Sequence, residues 1–177
     1  KHYKNQNQQI KLEILNFLET RLKNYFKELG FETKIQNAVS NGCKFNPYIF
    51  YQKITILFKK IGSNDFEKFL SSFKRLHSLL TNKNITYKIP NKNLFKQNEE
   101  KELLEEVLKF SKFIDADNLN IDYLISFNEI YKLSNPINNF LDNIIVNVEN
   151  KKIKENRFTL INFCKEQIEK HTIFSEI

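Results

Sequence analysis

Apolar residues recur every three or four positions along most of this 177-residue chain. The clearest stripe runs from Phe66 through Phe73 to Leu80. This spacing places apolar side chains on one face of an α-helix, and no run alternates apolar and polar residues between hairpin signals, as a half-buried strand would. The sequence therefore predicts an all-α fold, a single bundle of about seven to eight helices.

The first helix is predicted from about Gln8 to Leu29, and Gly30 ends it because glycine accepts the left-handed conformation that follows many helices. Its apolar residues share one face, which we expect to be buried in the bundle. That face comprises Ile14, Leu18, Leu22, Tyr25 and Leu29.

Two Asn-Pro pairs predict further helix starts. Asn46 with Pro47, and Asn135 with Pro136, each place a capping side chain before a proline at the first helical position, where no backbone N–H is missed. The helix launched at Asn135 is expected to reach Val148, and the last helix covers about 151–171.

The domain prediction is one α-helical domain over 1–177. Residues 1–8 are expected to be disordered or the end of a linker. Residues 82–97 break the helical pattern and form an internal, lysine-rich loop, which is either a solvated connector or a phosphate-contacting segment. Its lysines are Lys83, Lys88, Lys92 and Lys96.

The chain is basic, with 28 Lys and Arg against 21 Asp and Glu and a net charge of +7. This balance suits an RNA or an acidic membrane as partner. No apolar run approaches the roughly 20 residues needed to span a bilayer, and no signal segment opens the chain, so we expect no membrane partner and a cytoplasmic location. Met is absent, and we therefore interpret the chain as a piece of a longer protein.

No catalytic or metal-binding constellation is recognisable. The three glycines are isolated, the histidines are scattered, and Cys43 and Cys164 lack metal-ligand spacing, so we expect inert thiols. The pairs Glu99/Glu100 and Glu105/Glu106 lie beside lysines and are interpreted as a solvated helix face. The prediction is no catalytic residue, no metal and no cofactor in this segment. The histidines are His2, His77 and His171.

Only Arg21, Arg75 and Arg157 among the 28 basic residues are arginine. AT-rich coding sequence favours lysine without selection on the protein, so a retained arginine suggests a site that needs the planar guanidinium. Arg157 follows the apolar stripe of the last helix and must be paired if it is buried. We predict a pair with Asp142, with direct RNA contact as the alternative.

Arg21 lies at the edge of the first stripe and is predicted to tether two helices. Arg75 and Lys74 are expected to project outward, where contact with nucleic acid competes with a solvated face. At the start of the last helix, further lysines are candidates for salt-dependent phosphate contacts; these are Lys151, Lys152 and Lys154. The tyrosines near loops or helix starts could stack on unpaired bases or pack in the core; these are Tyr48, Tyr51 and Tyr87.

The order and spacing of residues from 135 to 177 form a pattern made of Pro136, Ile137, Phe140, Asp142, Val146, Val148, Glu149, Ile153, Asn156, Arg157, Phe158, Phe174, Ser175 and Ile177. Upstream, L-E-T-R-L at 18–22 and F-K-R-L-H-S-L-L at 73–80 extend it. Together these positions resemble the end of the glycine–tRNA ligase β subunit of the bacterial type. Lys154, His77 and Ser78 depart from the family pattern.

This resemblance implies a C-terminal, DALR-like anticodon-binding domain that recognises tRNA(Gly). It also implies a partner α subunit in a heterotetramer, and ATP used by the complete ligase and not by this segment. Two alternatives stay open: the anticodon-binding domain of an arginine–tRNA ligase, which shares the fold, and a helical scaffold without RNA binding whose charge follows codon bias.

Overall fold

The computed structural model describes residues 2–40, 46–85, 87–116 and 122–177, and within these ranges it contains α-helices and short 3-10 turns but no strand. The all-α prediction is confirmed. The α-helices are α1 (His2–Glu28), α2 (Thr33–Ser40), α3 (Pro47–Lys60), α4 (Asn64–Ser78), α5 (Asn98–Ala116), α6 (Tyr123–Lys132), α7 (Ser134–Asn143) and α8 (Lys151–Glu169).

Helix α4 lies at the centre of the bundle and contacts α6, α7 and α8, while α5 packs against α7 and α8. The apolar stripe of α4 is fully buried at Phe66, Phe69 and Phe73. Removing one such phenylalanine side chain from water contributes on the order of 1.5–3 kcal/mol. The same hydrophobic cluster takes residues from all eight α-helices of the described ranges.

The C-terminal turn, Phe174–Glu176, closes the bundle. The ring of Phe174 meets that of Phe69 edge to face, with 4.9 Å between centroids. One residue earlier, the N–H of Ile173 donates to the carbonyl of Ala38 at 2.8 Å. The end of the chain therefore joins α2 to α4.

Helix α1 departs from its prediction in two ways. It begins at His2, so the segment expected to be disordered or a linker end is helical from that residue. The face expected to be buried is largely open to solvent: Ile14 is 53% exposed, and Leu18, Tyr25 and Leu29 are exposed as well. The period of the stripe was correct, but only the last turns of α1, around the buried Phe26, pack on the bundle.

Helix α7 ends five residues earlier than predicted, at Asn143. Ile144 takes an extended conformation (φ −107°, ψ 117°) within the β-branched run Ile144, Ile145 and Val146, whose stiff side chains disfavour helix. The Asn135–Pro136 start was also wrong, because Leu133 before α7 is in the right-handed helical region and no side chain caps the helix.

The 82–97 loop packs against α8 and contains a 3-10 turn, Lys92–Leu94. The backbone of Asn91 makes two hydrogen bonds with the Asn156 side chain. The N–H of Asn91 donates to Oδ1 at 2.7 Å, and the carbonyl of Asn91 accepts from Nδ2 at 3.1 Å. Phe95 beside the turn is buried. The loop therefore holds a defined position over the start of α8.

Candidate nucleic-acid interface

The first turn of α8 concentrates positive charge. Asn150 caps the helix by accepting a hydrogen bond from the N–H of Ile153 at 3.2 Å, and this turn carries no acidic residue. Cations are unfavourable here because the helix dipole already makes this end positive. Three lysines nevertheless lie here: Lys151 and Lys152 are exposed, and Lys154 is half-buried. They form no ion pair within the described ranges, and anions are attracted to this end of the helix.

The 82–97 loop brings further lysines to the same end of the bundle. The Nζ of Lys83 lies 5.2 Å from the ring centroid of Phe158 in α8, while Lys88 and Lys92 are exposed. Between loop and helix lie two concavities of about 160 and 250 Å³. Tyr87 and Glu155 line both of them.

Arg75, from the end of α4, reaches across to α7. Its Nη2 lies 2.6 Å from Oδ1 of Asp142, and Nη1 donates to Asn138 at 3.1 Å. Asp142 was predicted to pair with Arg157, and that prediction was wrong. Arg75 therefore links two helices while staying half-exposed. Lys74 beside it is exposed.

Arg157 pairs instead with Glu100, the third residue of α5, and both side chains are buried, at 6% and 0% exposure. Its Nε donates to Oε1 of Glu100 at 2.9 Å, and its Nη1 donates to the carbonyl of Ile145 at 2.7 Å. That carbonyl is accessible because α7 has already ended. The guanidinium is closed to solvent and joins α5, α8 and the segment after α7.

Glu100 was wrongly predicted to be part of a solvated face. Its Oε2 accepts from the N–H groups of Lys96 and Gln97 at 2.7 and 2.9 Å, which caps the start of α5. Burial raises the pKa of Glu100, but the hydrogen bond from Arg157 and the two backbone donors outweigh burial and hold the pKa below its ordinary value. A glutamate at the third helical position is the capping-box signal that could have identified this role.

Arg21 does not tether α1 to a neighbour. Its guanidinium carbon lies 5.3 Å from the ring centroid of Phe17 on the same helix, and the side chain is exposed. The prediction failed because this part of α1 stays largely exposed, and α1 packs on the bundle mainly through its last turns.

A buried polar cluster joins α3, α6 and the segment between α8 and the C-terminal turn, and sequence reasoning missed it. Nε2 of His171 lies 2.7 Å from the Ser126 hydroxyl, and Nδ1 lies 2.9 Å from that of Thr172. Lys53 donates to the His171 carbonyl at 2.8 Å. Burial, and secondarily the charge of Lys53, lower the pKa of His171 well below its ordinary value. The imidazole is closed to solvent, so this cluster supports packing and not catalysis.

The other chemically reactive candidates are inert or fall outside the described structure. Cys164 is fully buried, and burial raises its thiol pKa. Cys43 lies outside the described residues. In the described ranges no group of three or more His, Cys, Asp or Glu side chains could hold a metal, and none of the helices there is long and apolar enough to cross a bilayer.

Residues 69–172 match the family described as DALR anticodon binding domain. This range includes Lys74, Arg75, Asp142, Arg157 and the lysines at the start of α8, but not Arg21, Tyr48 or Tyr51. It contains both elements of the basic end, the 82–97 loop and the start of α8.

Curated glycine–tRNA ligase β subunits are similar to this chain. That of Persephonella marina is 31% identical over 165 residues, covering 93% of this chain and 23% of that protein. Those of Thermodesulfovibrio yellowstonii and Rickettsia prowazekii are 27% and 31% identical, over 90% and 86% of this chain and 23% and 22% of the relatives. The chain thus spans about a quarter of the length of these relatives.

Proposed function

The chain belongs to the DALR anticodon binding domain family, and from that premise we propose that it binds the anticodon stem-loop of tRNA(Gly) as the recognition part of a glycine–tRNA ligase β subunit. The similarity to β subunits over about nine-tenths of this chain supports the glycine assignment. In such an enzyme an α subunit would assemble with the β subunit in a heterotetramer, and the complete cytoplasmic ligase would use ATP elsewhere.

The observation that carries this proposal is the group of lysines at the positive end of α8, facing solvent beside two concavities. Lysines at such an end lower the stability of the isolated helix, and a bound phosphate backbone would reverse that cost. Lys74 and Arg75 would extend the same contact, because an Arg75 half-open to solvent can reach a phosphate as well as Asp142. Contacts of this kind position the RNA without reading its sequence.

A binding measurement at several salt concentrations tests the proposal. The protein should bind a tRNA(Gly) transcript, and the logarithm of its affinity should fall linearly with that of the salt concentration. Replacing Lys151, Lys152 and Lys154 by alanine should weaken binding and reduce the slope by roughly 0.7–0.9 for each of these lysines that neutralises a phosphate.

The matched control replaces three exposed lysines on other helices, Lys59, Lys101 and Lys112. Both triple variants lose the same charge, so an equal effect would mean attraction by net charge alone. Binding that does not weaken with salt would favour the scaffold alternative, and tighter binding to tRNA(Arg) would favour the arginine one.

A further inference from the structure

Two neighbouring concavities, together called the groove, lie between the 82–97 loop and α8. The smaller is lined by Lys83, Ile85, Lys154 and Phe158 among others, and the larger by Ile89, Asn91, Leu94 and Lys152. Tyr87 and Glu155 line both of them. At about 160 and 250 Å³, each lies below the roughly 300–1,000 Å³ of ordinary small-molecule pockets. A single flat ring suits such a space better than a whole cofactor.

The groove offers apolar surface to solvent. Tyr87 is 58% exposed and Ile89 is 73% exposed, although the bundle has a large core in which such side chains could be buried. An exposed aromatic ring beside lysines is the combination on which single-stranded nucleic acids stack their bases. The exposed ring of Tyr87 and the lysines beside it therefore suit a nucleobase and its phosphates.

The walls of the groove are held in place. Both the Oδ1 and the Nδ2 of the Asn156 side chain are hydrogen-bonded to the backbone of Asn91. The Oδ1 of Asn91 in turn caps the 3-10 turn by accepting from the N–H of Asn93 at 3.0 Å. Lys83 lies over the ring of Phe158 on the other side. Because Asn156 is occupied, it has little capacity left to read a base.

Glu155 is the acidic side chain among the residues that line the groove. It is exposed, and its carboxylate takes part in no ion pair or side-chain hydrogen bond that the described parts of the chain contain, even though Lys152 and Lys154 flank it. An ionised carboxylate only accepts hydrogen bonds. It therefore matches the exocyclic amino group of cytosine or adenine and opposes the carbonyl that uracil presents at the same place.

We propose that an unpaired cytosine of the anticodon loop enters this groove, where Tyr87 stacks on its ring and Glu155 accepts a hydrogen bond from its amino group. The inference rests on the proposed function and goes beyond it by assigning a base-reading site. Every glycine codon begins with two guanines, so every glycine anticodon carries two cytosines. One of these cytosines would be selected against uracil by the charge of Glu155.

The stacking step is tested with Tyr87 variants and tRNA(Gly) transcripts. Tyr87→Ala should weaken binding about 5- to 100-fold, because one base is no longer stacked, whereas Tyr87→Phe should bind like the native chain. Tyr25→Ala is the control, because Tyr25 is also exposed but lies on α1. Equal affinities for the two alanine variants would overturn the stacking role.

A fluorescence experiment locates the base directly. The chain has no tryptophan, so Tyr87→Trp creates a single indole emitter, which a stacked base should quench when tRNA(Gly) binds. A Tyr25→Trp emitter on α1 should stay unquenched. Unchanged emission from Tyr87→Trp at saturating tRNA would contradict the proposal.

The reading step is tested by replacing each anticodon cytosine with uracil in turn. For the native chain one replacement should weaken binding about 10-fold or more, and in Glu155→Gln this penalty should vanish, because an amide can donate as well as accept. A penalty that survives in Glu155→Gln and in Glu155→Ala would overturn the role of Glu155.

The two levels of inference fail differently. If the native chain shows no salt-dependent tRNA binding at all, the proposed function itself fails. If it binds tRNA(Gly) in a salt-dependent way but the Tyr87 and Glu155 variants match the native chain, only the base-reading site is refuted.

Discussion

Arg157 and Glu100 form an ion pair that water does not reach. Removing two charges from water costs several kcal/mol each, and their attraction offsets that cost only when the remaining hydrogen-bonding groups are also satisfied. Here Glu100 accepts two backbone hydrogen bonds, and Arg157 donates one more to a carbonyl. The pair therefore holds the ends of two helices and the segment after α7 in one arrangement.

Arg157→Ala should lower the free energy of unfolding by about 3–5 kcal/mol, because it leaves the buried Glu100 carboxylate without its cation. Arg157→Lys should be intermediate, since one ammonium cannot reproduce the two directed donors of the guanidinium. Arg75→Ala is the control and should cost about 0–1 kcal/mol, because its pair with Asp142 is half-exposed. Urea denaturation measures all three variants, and equal losses for Arg157→Ala and Arg75→Ala would contradict this account.

The wrong partner assigned to Arg157 shows what single-helix periodicity leaves out. The stripe of α8 was sufficient to place this guanidinium on the inner face and to require a counter-charge. Which carboxylate arrives there depends on how α5 and α7 pack beside α8, and chain proximity favoured Asp142. The actual partner, Glu100, is distant in sequence, and the clue to it was local: its place at the third position of α5.

The two Asn-Pro pairs carry the same sequence signal for a helix start, but only one of them begins a helix. Asn46 caps α3, and its Oδ1 accepts from the N–H groups of Tyr48 and Ile49 at 3.1 and 3.2 Å. Asn135 lies inside α7, because Leu133 continues from α6 in helical geometry, and its Oδ1 accepts from Lys68. Local sequence predicts a cap only where the preceding chain leaves the helical region, and at Leu133 the packing of α6 and α7 decides otherwise.

Asn46→Ala should therefore destabilise the protein by about 1 kcal/mol, the usual cost of a lost N-cap. Asn135→Ala should change the free energy of unfolding by less than about 0.5 kcal/mol, because it removes only an exposed hydrogen bond. Thermal unfolding of the two variants beside the native chain gives the comparison. A larger loss for Asn135→Ala would mean that this residue caps the helix in solution.

The bundle as a whole is closed by its last residues and not by its first. Phe174 is fully buried in the core, and the His171 cluster joins α3, α6 and the segment just before the C-terminal turn. The first helix meanwhile keeps most of its apolar face open. Sequence periodicity predicted both the first helix and the last one. It could not predict which apolar face is buried, because burial depends on the surfaces of the other helices.

His171 makes this closure sensitive to pH. The groups that face its imidazole are the Ser126 and Thr172 hydroxyls and the Phe127 and Tyr123 rings, with Lys53 on its carbonyl. None of these supplies a negative charge, so the folded protein keeps the imidazole neutral, while the unfolded chain takes up a proton below the ordinary pKa of 6.5. Protonation therefore favours the unfolded state, and stability should fall as the pH drops through 6.5.

The slope of this fall should approach about 1.4 kcal/mol per pH unit well below 6.5. Glu100 acts in a lower window: its pKa is depressed, so its contribution is present above the ordinary value of 4.5 and is lost as the pH falls through the folded pKa. Denaturation curves between pH 7.5 and 5.5 thus isolate His171. His171→Gln, which can still meet Ser126, should flatten the dependence in that range, and His77→Gln should keep it because His171 is intact. A native protein equally stable at pH 7.5 and 5.5 would show that the His171 imidazole is protonated without loss inside the fold.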